Sequence, residues 1–192
     1  MNELTALALE LQLFCEARRW RFCIIGGLAV QHWGEPRFTR DVDLTLLSGF
    51  GGEESYIDCL LASYEARIDN AKEFALTNRV LLLRSSQGIG IDIALAGLPF
   101  EESAVDTAQD IELEPGAFLR LCTAEALLVM KAFANRPQDL LDIRGIVIRQ
   151  RDRAIDWEYI RRYLAPLCEV KGEPEILTDL DNLRREFEKD GG

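Results

Sequence analysis

Asp41 and Asp43, one residue apart in Asp-Val-Asp-Leu-Thr-Leu-Leu, are the residues of this chain most suited to chemistry. In an extended strand successive side chains alternate, so both carboxylates project from one face while Val42 and Leu44 take the other. Two neighbouring carboxylates repel unless a cation lies between them, and magnesium with oxygen ligands is the usual solution when phosphates are close. A place for phosphate stands upstream. Phe22-Cys-Ile-Ile25 is an apolar run suited to a buried strand, and Gly26 and Gly27 follow at once. Glycines at a strand end allow unusual backbone angles and close approach of a ligand. Leu28, Ala29, Gln31, His32 and Trp33 then begin a helix whose first amide groups favour an anion. Gly26 and Gly27 are therefore candidates for a phosphate cradle, with Asp41 and Asp43 as metal ligands beside it.

Thirteen residues separate Gly27 from Asp41. A hydrophobic residue, Gly-Gly, about a dozen residues and then Asp-hydrophobic-Asp resembles the signature of the DNA polymerase β-like nucleotidyltransferase superfamily. Gly26-Gly-Leu-Ala, Arg37-Phe-Thr-Arg-Asp-Val-Asp and the later Lys131, Arg136 and Asp139-Leu-Leu-Asp142 look more narrowly like the AbiEii-type nucleotidyltransferases, a group containing toxins of toxin-antitoxin and abortive-infection systems. The resemblance runs in separated patches over roughly residues 20 to 150. It implies an α/β (α+β) fold, a mixed sheet flanked by helices with a C-terminal helical part. It also implies a third carboxylate from a strand adjacent to the Asp-x-Asp strand, and Asp92 in Ile91-Asp-Ile-Ala-Leu95 is the position that fits. Three such carboxylates would hold two Mg²⁺ ions, or Mn²⁺ in their place, with an NTP as co-substrate. In the AbiEii-like group a lysine and an aspartate from the helical region belong to the active site, and Lys131 and Asp142 are the matches. The interval between them is shorter here than that group leads one to expect.

Several of these residues have a second reading. Asp92 alone would be an exposed-face residue of an apolar strand. Thr39 either hydrogen-bonds a phosphate or closes the loop before the Asp strand. Arg40, Arg37 or Lys131 would neutralise charge on the leaving pyrophosphate. Lys131 shares a helix face with Leu127 and Leu128, so it either snorkels outward or points into a cleft. Asp139 and Asp142, three apart on one helix face, could equally brace Arg136 or Lys131. His32 reads as a helix residue beside Trp33, and as the single histidine it excludes multi-histidine metal sites.

The positioning elements follow from periodicity. Leu4, Leu7, Ala8 and Leu11 mark a packing helix over 2–19 with Asn2 as cap. Ser48-Gly-Phe-Gly-Gly52 ends the Asp strand, and a helical period then runs from Glu53 to Arg67. Asn70 to Leu76 is a short helix; Val80-Leu-Leu-Leu83 and Ile91 to Leu95 flank a turn as an antiparallel hairpin. Leu98 to Ala108 is a short acidic helix, Ile111 to Gly116 an edge strand and turn, and Phe118 to Leu121 a further strand. Beyond Thr123 the chain is helical: 124–135, then 138–150 opened by Pro137, then helices begun by Asp156 and Pro174.

The 192 residues suit one domain with a helical annex, divided at 1–120 for the nucleotidyltransferase core and 121–192 for a helical region packed on the cleft. Five cysteines, scattered singly in apolar surroundings, read as reduced core residues. The formal charge of −11 argues against broad non-specific nucleic-acid binding. Arg144, Arg149, Arg151, Arg153, Arg161 and Arg162 form either a local basic patch or a salt-bridged helical surface. No apolar segment reaches bilayer length, no membrane is expected and cytoplasm is the default. The expected reaction is transfer of an NMP from an NTP to an acceptor, which could be a tRNA end, a protein or a small-molecule hydroxyl, with an antitoxin as partner if the chain is a toxin. The competing readings are a non-catalytic nucleotide-binding or interaction module with the same fold and a metal-dependent phosphodiesterase.

Overall fold

The structure, a computed structural model, describes residues 1–151, 153 and 155–189. The chain forms two compact units, one of Met1–Leu28 with Phe38–Cys122, the other of Ala29–Arg37 with the chain from Thr123 on.

The first unit is built on a seven-stranded sheet. Helix α1 (Glu3–Ala17) starts where Asn2 accepts from the Thr5 amide at 2.9 Å, satisfying one orphan donor of the first turn. Next come β1 (Phe22–Ile25), α2 (Gly26–Trp33), β2 (Asp41–Leu47), α3 (Glu53–Leu61), β3 (Glu65–Ala66), α4 (Ala71–Asn78) and β4 (Val80–Arg84). The rest of the sheet follows as β5 (Gly90–Ala96), α5 (Pro99–Asp106), β6 (Gln109–Glu114) and β7 (Ala117–Leu121). The strand order is β3-β4-β5-β2-β1-β7-β6. The β2–β5 and β1–β7 pairs are parallel and the others antiparallel, so the sheet is mixed, as the resemblance leads one to expect.

Alternation decides which face of the sheet is core. Val42, Leu44 and Leu46 are fully buried, and Ile91, Ile93 and Leu95 join them from β5 and Leu81 and Leu83 from β4. The same pleat turns Asp41, Asp43 and Asp92 to the opposite side. Leu7, Leu11, Ile57 and Leu60 cover the apolar face from α1 and α3. Four cysteines are buried and Cys59 is half-buried, all of them reduced.

One element departs from expectation. The helix predicted over Glu53 to Arg67 ends at Leu61, and Glu65–Ala66 pairs antiparallel with β4. Tyr64 satisfies the helical period, but its ring is buried in the core and its hydroxyl donates to Glu10 Oε1 at 3.0 Å. Strand pairing then fills the open edge of β4 and satisfies backbone groups that a longer helix would leave unpaired there.

The second unit is helical: α6 (Ala124–Ala134), α7 (Pro137–Arg149), α8 (Trp157–Lys171) and α9 (Glu175–Lys189). Thr123 caps α6 by accepting from the Ala126 amide at 3.2 Å, and Asn135 ends it in the left-handed region. Pro137 occupies the first turn of α7, where its missing N–H costs nothing. Asp156 caps α8 through the Tyr159 amide at 2.9 Å. Residues 29–37 join this unit closely. Gln150 Nε2 donates to the Trp33 carbonyl at 2.8 Å, and a Cβ at Gly145 would stand 3.0 Å from the Glu35 amide nitrogen. Among the described residues no helix is long and apolar enough to cross a membrane.

Candidate functional site

Strand register gathers the aspartates. On the parallel β2–β5 pair, Asp43 stands beside Asp92 and Asp41 beside Gly90, so the three carboxylates share one face of the sheet. Antiparallel pairing of β1 with β2 sets Ile25 beside Asp43 and delivers the glycine start of α2 to the same place. The Gly27 amide donates to Asp43 Oδ2 at 3.3 Å. Gly26 has φ +61°, and a Cβ there would lie 2.0 Å from Asp43 Oδ2. At Gly27 a Cβ would lie 2.2 Å from Thr39 Oγ1. Glycine is needed at both positions, because backbone, carboxylate and hydroxyl approach more closely than a side chain permits. Arg40 is exposed, its guanidinium 5.5 Å from the centroid of the Phe38 ring.

Arg67 completes this cluster and was not among the residues singled out by the sequence. Its Nη2 reaches Asp92 Oδ1 at 2.5 Å and its Nη1 reaches Asp41 Oδ1 at 4.0 Å. A helical reading of 53–67 hid it; the charged-apolar alternation of Glu65, Ala66, Arg67 and Ile68 was the available signal of an edge strand. Burial pushes the Asp92 carboxyl above its ordinary value, opposed by the charge and hydrogen bond of Arg67 and aided by the charge of Asp41.

As they stand, these carboxylates face protein partners. Among the described residues no group of three or more His, Cys, Asp or Glu side chains is arranged to hold a metal ion. Their chemistry is nevertheless that of hard oxygen donors, brought to one face by paired strands, the ligand type that Mg²⁺ or Mn²⁺ would take.

A second ionic cluster forms within the helical unit. Lys131 Nζ lies 2.8 Å from both Asp139 Oδ1 and Asp142 Oδ2. Arg37 grips Asp142 with two parallel bonds, Nε to Oδ1 at 2.8 Å and Nη2 to Oδ2 at 3.0 Å. Gln138 donates to Asp142 Oδ1 at 3.0 Å, and Arg136 Nε to Asp139 Oδ2 at 2.6 Å. Lys131 does not snorkel; it is buried and held by carboxylates. Burial alone would raise the Asp139 and Asp142 carboxyls. Hydrogen bonds outweigh it and hold both below their ordinary values, from Arg136 and Lys131 for Asp139, and from Arg37, Lys131 and Gln138 for Asp142.

The candidate residues thus fall into two groups. Gly26, Gly27, Thr39, Asp41, Asp43 and Asp92 come together in the sheet unit, with Arg40 beside Asp41 in the chain. Arg37, Lys131 and Asp142 come together in the helical unit. Of the later arginines, Arg161 pairs with Asp181, Arg162 with Glu158 at 4.0 Å, and Arg149 donates to the Gly34 carbonyl at 3.1 Å. His32 packs edge-on against Trp33, and burial, then the charges of Arg153 and Arg149, lower its pKa.

No protein-family model matches the sequence, and a search of curated proteins gives no match either. Solved structures share the fold. An antigenic nucleotidyltransferase-like protein from Paracoccidioides brasiliensis aligns with a TM-score of 0.52 at 17% identity, over 93% of this chain and 92% of its own. The antibiotic-resistance factor ANT(2'')-Ia aligns in its solution structure with a TM-score of 0.50 at 15% identity, over 89% of this chain and 93% of its own. The lincosamide antibiotic adenylyltransferase LnuA, bound to lincomycin, aligns with a TM-score of 0.50 at 12% identity, over 76% of this chain and 96% of its own. At such identities the likeness establishes the fold alone, a mixed sheet flanked by helices.

Proposed function

We propose that this chain is a metal-dependent nucleotidyltransferase, moving a nucleoside monophosphate from an NTP to an acceptor hydroxyl with release of pyrophosphate. The observation that carries the reading is the register of β2 on β5, which sets Asp92 beside Asp43, with the Gly26-Gly27 helix start against the same carboxylates. Asp41, Asp43 and Asp92 would hold Mg²⁺ or Mn²⁺, which when bound supplies charge stabilisation at the phosphorus and acidifies the attacking oxygen.

The protein's own groups supply the rest. The Gly27 N–H, which donates to Asp43, would turn to the β and γ phosphates, helped by the positive end of α2. Gly26 lets the Asp43 carboxylate, and Gly27 the Thr39 hydroxyl, lie against the helix start where a side chain would not fit. Asp92, with its carboxyl pushed upward by burial, is suited to take the proton of the acceptor hydroxyl. Arg40 is exposed and able to neutralise charge on the leaving pyrophosphate. We assign Arg37, Lys131 and Asp142 as positioning residues, since the cations are already committed to buried carboxylates. The motif resemblance to the AbiEii-type group extends the proposal to a toxin, for which induced expression without an antitoxin should slow growth and an Asp41→Ala/Asp43→Ala variant should not.

The test of the reaction is incubation with each of four α-³²P-labelled NTPs and Mg²⁺, with and without total RNA. Label moving onto RNA, protein or a small molecule, and lost in Asp41→Ala/Asp43→Ala, supports transfer and identifies the acceptor class. NTP binding without movement of label in any arm supports the non-catalytic module instead.

A further inference from the structure

We infer that Arg67 is a built-in competitor for the divalent ion, holding Asp41 and Asp92 until the ion displaces its guanidinium; the inference rests on the reading of Asp41, Asp43 and Asp92 as metal ligands. The backbone of Arg67 is fixed at the end of β3, where its amide donates to the Leu82 carbonyl at 3.0 Å. From there the side chain crosses β4 to reach Asp92 Oδ1 at 2.5 Å and comes within 4.0 Å of Asp41 Oδ1. The space it uses is provided by a glycine. A Cβ at Gly90 would lie 2.2 Å from Asp41 Oδ1 and 2.7 Å from Arg67 Nη1, so any larger residue would push the carboxylate and the guanidinium off the strand together.

The contacts are those of a cation seat rather than of a permanent brace. Arg67 pairs with Asp92 Oδ1 and stands 4.0 Å from Asp41 Oδ1, on carboxylates that a hard divalent ion would also need, and the two positive groups repel when placed there together. Its side chain is 32% exposed, so the guanidinium can move into water without leaving a buried orphan charge. Asp41 and Asp92 are likewise partly exposed. Ion binding and release of Arg67 are therefore one event, and the resting affinity of the site for free ion is set by the strength of this pair.

Mn²⁺ binding to the full chain, followed by the loss of the free-ion paramagnetic resonance signal, tests this without relying on turnover. Arg67→Gln is expected to bind Mn²⁺ roughly five- to tenfold more tightly than the native protein. Arg67→Lys, which keeps the charge but loses the two-pronged reach, should fall between, and binding should vanish in Asp41→Asn/Asp43→Asn. Equal or weaker affinity in a folded Arg67→Gln overturns the role of Arg67 while leaving the metal site standing. Should the glutamine variant not fold, native affinity in Arg67→Lys overturns it equally. Mn²⁺ binding in neither the native protein nor the variants overturns the metal reading together with the inference.

Discussion

The two clusters in which a pair of aspartates shares one basic side chain, Arg67 in the sheet unit and Lys131 in the helical unit, are built in opposite ways. In the sheet unit the side chains of Asp41, Asp92 and Arg67 are 46%, 33% and 32% exposed, and one guanidinium reaches two carboxylates, one of them only at 4.0 Å. In the helical unit Asp139, Asp142 and Lys131 are 1%, 2% and 8% exposed, and each carboxylate is gripped from several directions at hydrogen-bonding distance. Burial explains the difference. A carboxylate withdrawn from water must be paired and hydrogen-bonded or it will not stay charged, so the helical cluster is saturated. A partly wet carboxylate can be left loosely paired and retains its attraction for an incoming cation. Asp-x-Asp and Asp-x-x-Asp look equally chemical in a sequence; the structure saturates the second with buried partners and leaves Asp41 of the first partly exposed.

Substitution should separate the two clusters. Asp43→Asn is expected to lower nucleotide transfer by on the order of a thousandfold, corresponding to several kcal/mol of lost charge stabilisation, while leaving urea stability unchanged or slightly raised. Lys131→Met should do the reverse in kind, costing about 3–5 kcal/mol in urea unfolding because it strands buried carboxylates. A Lys131→Met protein as stable as the native one would break the comparison. Gly26→Ala should cost about 1–3 kcal/mol, from the φ of +61° and the clash with Asp43, and should reduce transfer as well.

The smallest effect is one of sign, measured by urea unfolding at pH 7 and near pH 3. Asp139 and Asp142 titrate below their ordinary value in the folded chain, so their contribution is present above the unfolded value of about 3.9 and fades as pH falls through the folded one. Asp92 is shifted upward, so its contribution is present below about pH 3.9 and is lost as pH rises through its folded value. Asp142→Asn should therefore cost more at pH 7 than at pH 3, whereas Asp92→Asn should stabilise the protein at pH 7 and lose that advantage in acid. Equal pH dependence in the two variants would mean that the clusters do not differ in kind.

Much of the sheet was legible because its code is local. Alternation in Asp41–Leu47 and the apolar runs at 22–25, 80–84 and 91–95 state which residues are strand and which face is buried. Thr123, Asp156 and Pro137 announce helix starts for equally local reasons. Pairing is not local. That Asp43 meets Asp92, and Asp41 meets Gly90, follows from the parallel register of strands separated by about 50 residues of chain, and the sequence suggested it only through a resemblance. Arg67 was missed for the same reason: Tyr64 keeps a helical period to its end, and the competing advantage, an open edge of β4, lies elsewhere in the chain. For Lys131 the sequence offered an outward lysine or one pointing into a cleft. The structure shows the brace that the spacing of Asp139 and Asp142 also allowed, since the partners that saturate it come from α7.

The most direct test of the account is the fate of the triphosphate. Phosphorus-31 spectra would follow each NTP with Mg²⁺ and the protein, with total RNA and the small-molecule fraction of a cell extract supplied as acceptors. Pyrophosphate should appear with the native chain and be absent with a folded Asp41→Asn/Asp43→Asn variant. Inorganic phosphate in its place, or pyrophosphate formed undiminished by that variant, would contradict the assignment of the Asp41, Asp43 and Asp92 cluster as the site of nucleotidyl transfer.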